Sequence, residues 1–205
     1  MNNYPQKIHF SERVKVSITF ACCCTSSYLL INYLPLRDPL ILSQTVIDQL
    51  IPFIPWTIWP YLLLLLTDLV FPLLIVERRL FRFTMRAYAF TALISFAVWA
   101  LFPTTLPRSS IIPHGDSISE IAYRLLISVD PPNNCFPSGH ISIPTVLFWA
   151  LGKQWPTYKI HLWLCFALLS VTILTTKQHY FVDLVGGLTA GVLGLGLSHL
   201  REKSR

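Results

Sequence analysis

The feature that most limits what this chain can become is the recurrence of long apolar runs. Residues 14–34, 51–76 and 158–175 each approach or exceed the roughly 20 apolar residues that cross a bilayer core. Residues 87–102, 141–151 and 180–200 add three more, the fourth in chain order being short. Hydrophobic residues make up 53% of the chain and charged residues 13%, which excludes an ordinary soluble domain. The reading is an all-α polytopic membrane protein with six transmembrane helices, forming one domain over residues 1–205. The first run lacks a small-residue cleavage site and reads as a retained span rather than a signal peptide.

A net charge of +6 raises the question of nucleic acid, but the distribution of charge answers it differently. Six spans place both termini on one side, where twelve Lys and Arg residues fall. The other side holds Arg37, Arg108, Arg124 and Lys177. Such a split orients a membrane protein with its basic side, and here its termini, in the cytoplasm. The expected partner is the bilayer, with no nucleic acid. The five cysteines, three of them consecutive at Cys22, Cys23 and Cys24, show neither a disulfide framework nor a metal-ligand spacing and read as packing residues.

Two stretches carry chemistry. In Asn134-Cys135-Phe136-Pro137-Ser138-Gly139-His140, Pro137 and Gly139 bend the backbone just before an apolar helical run. Ser138 is a natural N-cap, so free N–H groups and the positive dipole end would sit beside His140, an arrangement suited to phosphate. In Thr176-Lys177-Gln178-His179-Tyr180-Phe181-Val182-Asp183, His179 and Asp183 are four apart and share a face if the segment is helical. A carboxylate placed there fixes the imidazole tautomer and stabilises the imidazolium, as a nucleophile or base requires. Both stretches, with Arg108, fall on the sparsely charged side. Arg108 and Lys177 are therefore candidates to hold phosphate, together with Ser138 and Gly139. The long loop at 103–139 carries apolar residues at helical spacing over 117–129, expected as an amphipathic helix lying at the interface.

Pro-Ser-Gly-His followed about forty residues later by His-x3-Asp resembles the type-2 phosphatidic acid phosphatase superfamily of membrane enzymes. The wording around Asp130-Pro-Pro-Asn-Asn-Cys-Phe and Thr-Lys-Gln-His-Tyr is closer to its inositol-phosphorylceramide-synthase-like branch. The resemblance implies a metal-independent, cofactor-free enzyme in which His179 is the nucleophile, Asp183 orients it and His140 protonates the leaving group. It implies a lipid phosphatase acting on a phosphate monoester or pyrophosphate, with the site periplasmic, luminal or extracellular. The membrane would be a bacterial inner membrane or an endomembrane. Two alternatives stand beside it: a head-group phosphotransferase, and an inactive scaffold or lipid-binding protein. The chain departs from the family pattern at Leu101, where a Lys is expected, at Ser109, where a Pro is expected, and at Ile173, where an Arg is expected. Asp68, inside the second span, and His114 and Arg124, in the long loop, have no assigned role. His9, His161 and His199 fall at the opposite side or within spans and carry no chemistry.

Overall fold

The computed structural model describes residues 6–108 and 113–204. Ser109 and Arg205 lie outside the described residues. Helix α1 (Phe10–Tyr33) is followed by a connection holding a short strand β1 (Leu40–Ile41) and a one-turn helix α2 (Val46–Leu50). A 3-10 turn at Pro55–Thr57 leads into α3 (Ile58–Leu74), and α4 (Arg78–Leu101) follows. The long loop contains β2 (Thr104–Thr105) and α5 (Ile118–Val129). The chain then forms α6 (Gly139–Gln154), a 3-10 turn at Pro156–Tyr158, α7 (Lys159–Thr175) and α8 (Phe181–Lys203).

Among the described residues, five helices are long and apolar enough to cross a membrane: α1, α3 with its leading turn, α4, α7 with its leading turn, and α8. They mark a membrane protein. The sixth expected span, α6, has 16 residues, a length of about 24 Å against a hydrocarbon core of about 30 Å. It is also the most enclosed helix, with eleven buried residues between Ile141 and Gly152. The third run differs from expectation in its start. The Arg-rich stretch before residue 87 belongs to α4, which begins at Arg78, so Arg79, Arg82 and Arg86 lie along its first turns. Helix α5 occupies the expected stretch, opened by a Ser117–Glu120 capping box. Ile118, Leu125 and Val129 are exposed, and Tyr123 is buried against the core formed with α3 and α7.

Helices α4, α6 and α8 form the tightest unit. A side-chain carbon added at Gly187 would stand 2.7 Å from the Ser138 carbonyl oxygen. At Gly191 it would stand 2.7 Å from that of Ser142. Glycine there lets α8 lie directly on the backbone of α6. Gly196, further along the same helix, has open space around it.

The two ends of the bundle are finished differently. At one end, Ile8 N–H donates to Val76 O at 3.0 Å, Gln154 bonds the α3–α4 link at Leu74 and Val76, and Arg79 pairs with Glu202 at 2.8 Å. The other end gathers both motif stretches. There β1 pairs in parallel with β2, and Thr105 bridges to Asn133, so the long loop is stitched to the α1–α3 connection.

Candidate active site

The first motif stretch is fixed from three directions. Phe136 N–H donates to Thr104 Oγ1 at 2.8 Å, Trp99 Nε1 donates to Pro137 O at 3.1 Å, and Ser138 N–H donates to Asp183 O at 3.1 Å. The last bond joins the two motif stretches directly. Ser138 occupies the N-cap of α6 as expected, but its side chain makes no cap bond, and its Oγ is buried without a partner. Ile141 and Ser142 N–H return to Ser138 O. The N–H groups of Gly139 and His140 belong to the first turn, which has no partner within the helix. A polar hydroxyl and two free amides thus meet at the positive end of α6.

The second stretch does not use a helical face to bring His179 to Asp183. Helix α7 ends at Thr175 and α8 begins at Phe181, so His179 lies in the link between them. Gln178 and His179 N–H both donate to Ile173 O, at 3.0 and 3.1 Å. Asp183, in the first turn of α8, turns back: its Oδ2 accepts from Tyr180 N–H at 2.8 Å and lies 3.4 Å from His179 Nδ1. Asp183 is fully buried and His179 nearly so. The carboxylate therefore faces Nδ1 and leaves Nε2 as the outward nitrogen. The His179 ring lies edge-on to His140 with centroids 5.3 Å apart, and His140 is edge-on to Tyr61 of α3 at 5.4 Å.

The cations are placed unequally. Arg108 Nη1 donates to Asp130 O at 2.7 Å, and its Nε is buried without a partner. Lys177, expected to hold phosphate, is committed in part to the backbone. Its Nζ donates to Asp48 O at 2.7 Å and to Ile51 O, so two of its three donors hold the α2–α3 connection. Burial pushes its ammonium below the ordinary lysine value, against the opposing pull of Asp48. Its backbone sits at φ 54°, the left-handed region. A residue with a side chain holds that conformation when surrounding contacts impose it, as these two bonds do. Arg124 closes the approach to α5 by donating to Pro113 O and Gly115 O, at 3.1 and 2.6 Å. His114 is exposed. Ile173, standing where the family pattern has Arg, is buried, and its carbonyl organises the His179 link.

Asp48 is a positioning residue that the motif reading missed. Its Oδ2 accepts from Thr45 N–H and Oγ1, and its Oδ1 accepts from Phe181 N–H at 2.7 Å, which satisfies the start of α8. The Thr-x-x-Asp capping signature at Thr45–Asp48 is the signal that could have found it.

A cavity of about 490 Å³ opens from this site, with Gly139, His140 and His179 at one end. It runs between α1, α3, α4 and α6 and is lined mainly by apolar side chains. Among the described residues, no group of three His, Cys, Asp or Glu side chains is placed to hold a metal ion.

A family model of the PAP2 superfamily matches residues 38–197, more than half of the chain. The chain belongs to the PAP2 superfamily. No curated protein matches it. PAP2 proteins are generally phosphatase-type enzymes, and membership points to phosphatase or phosphotransferase chemistry. The matched region contains both motif stretches, Arg108 and the whole cavity wall except α1.

Proposed function

We propose that this PAP2 protein is a metal-independent lipid phosphatase that works through a phosphohistidine. The observation carrying the proposal is the order Asp183 carboxylate, His179 Nδ1, with Nε2 outward and the His140 ring beside it at the mouth of an apolar cavity. Nε2 attacks phosphorus while the bond from phosphorus to the lipid oxygen breaks, and His140 delivers a proton to that oxygen. Asp183 stabilises the positive charge that appears on His179. Water, its proton passing to His140, then releases phosphate and restores both side chains. Negative charge on the phosphoryl oxygens is met by the Arg108 guanidinium, the Gly139 and His140 amides and the Ser138 hydroxyl. Lys177 acts indirectly, by holding the connection on which Phe181 and Asp183 depend.

In the membrane, α6 completes the bundle as a sixth, short span, enclosed by its neighbours rather than by lipid. The twelve-to-four charge split sets the Arg-rich end in the cytoplasm and the histidines on the outer side. The exposed apolar face of α5 then rests on the outer leaflet beside the cavity. The motif wording supports a place in the inositol-phosphorylceramide-synthase-like branch, which keeps head-group transfer as the competing outcome. Incubating the purified protein with lipid phosphates and phospholipids, in chelator, while following free phosphate and new lipids together, tests the reading. Phosphate release that persists in chelator is expected. New phospholipid without free phosphate would replace hydrolysis by transfer, and loss of activity restored by zinc or magnesium would overturn metal independence.

A further inference from the structure

The phosphate end accounts for only part of the cavity. Helix α3 lines it from Tyr61, beside His140, to Asp68 and Leu69. Tyr61 and Asp68 are seven residues apart, two helical turns and about 10 Å of rise. The wall between them is apolar, but its far part is not. Asp68 Oδ1 is buried with no hydrogen-bond partner, and among the described residues no ion pair involves Asp68. The neighbouring hydroxyls behave differently. Thr67 Oγ1 donates to Leu64 O at 2.7 Å and Thr84 Oγ1 to Leu80 O at 2.8 Å, each satisfied within its own helix.

A buried acceptor without a partner is costly in an apolar wall, and an intramembrane acid that faces a cavity marks a ligand path. A plain hydrocarbon tail would leave Asp68 unpaired. Resting on the phosphatase reading of the histidine end, we infer that Asp68 recognises a hydrogen-bond donor carried on the substrate's hydrocarbon chain. The substrate class is a lipid phosphate with a hydroxyl or amide N–H about 10 Å from the site of phosphoryl transfer, two helical turns down the cavity. Donors in the glycerol region next to the phosphate lie too close to His140 to reach it.

The test separates binding from turnover. Two phosphatidates, identical except for a 3-hydroxyl on the acyl chain, are titrated in detergent by calorimetry into the His179→Ala protein, which cannot turn them over. The hydroxylated lipid is expected to bind about tenfold more tightly, the scale of one hydrogen bond in a dry site. Asp68→Leu in the same background should bring the two affinities together. Asp68→Asn, which keeps an acceptor oxygen at similar size, should retain part of the preference. Equal affinities in His179→Ala, an undiminished preference in Asp68→Leu, or no binding of either lipid would overturn the inference. Phosphate release by the wild-type protein is measured separately. Its absence with both lipids counts against the phosphatase reading, while the affinity ratio still decides the role of Asp68.

Discussion

Helices α1 and α8 have nearly the same length, 24 and 23 residues, and the same mean hydropathy, 1.6, yet the protein holds them in opposite ways. In α8, a third of the most apolar window is buried, and glycines set its backbone against α6. In α1 that share is 6%, and its buried residues are Ser17 and Asn32. The hydrogen bonds and ion pair that tether α1 lie near its ends. Glu12 pairs with Arg78 at 3.0 Å, and Tyr28 and Asn32 bond the Asp130 carboxylate at 2.7 and 3.1 Å. Apolar runs of equal strength therefore serve different purposes. The close-packed helix fixes Asp183 against the motif loop, and close-packed interiors do not deform continuously. The loosely packed one lines the cavity with few buried residues, the mark of a region that opens at low cost.

Arg108 tests how far the two walls meet, because its guanidinium bonds the carbonyl of Asp130, whose carboxylate anchors α1. Arg108→Ala is expected to lose about 2–4 kcal/mol of transition-state stabilisation, read from kcat/KM, as when an oxyanion donor is removed. Arg108→Lys should recover only part, since a fork becomes a point charge. On the tight wall, Gly187→Ala should cost about 1–3 kcal/mol of stability through overpacking. It should also lower turnover, because the added carbon pushes on the carbonyl of Ser138; thermal unfolding in detergent alongside activity measures both. Asn32→Ala on the loose wall should cost about 1–2 kcal/mol and alter KM for long-chain lipids more than kcat. Gly196→Ala, with open space around it, should change stability by less than about 1 kcal/mol, in the direction of helix propensity. Similar losses from Gly187→Ala and Gly196→Ala would erase the contrast between tight and loose packing.

Much of the fold was legible because hydrophobic run length is set by bilayer thickness, and the five long helices follow from it. The short fourth run was legible as an apolar helix but not as the centre of the bundle, since enclosure depends on what packs around it. The start of α4 was misplaced because arginines along a helix whose end protrudes look locally like a turn. At the site, motif spacing picked out residues that the fold brings together, His140, Ser138, His179 and Asp183, yet the geometry that pairs His179 with Asp183 was not legible. A four-residue offset fits both a helical face and a side chain folding back from a helix start, and the structure has the second. The bonds of Lys177 to Asp48 and Ile51 were not legible because charge alone does not say which carbonyls a long side chain reaches. The bonds of Asp48 and Asp130 were not legible because their partners, Phe181 and Asn32, are remote in sequence.

The claim on which the account turns is that His179 bonds to phosphorus while His140 only supplies a proton. Acid-labile phosphate on the quenched protein, measured after mixing with a radiolabelled lipid phosphate, tests it most directly. His179→Ala should carry none. His140→Ala should be slow with the lipid, whose alkoxide needs the proton, and far less impaired with nitrophenyl phosphate, whose leaving group scarcely does. Equal labelling of the wild-type and His179→Ala proteins would contradict the account.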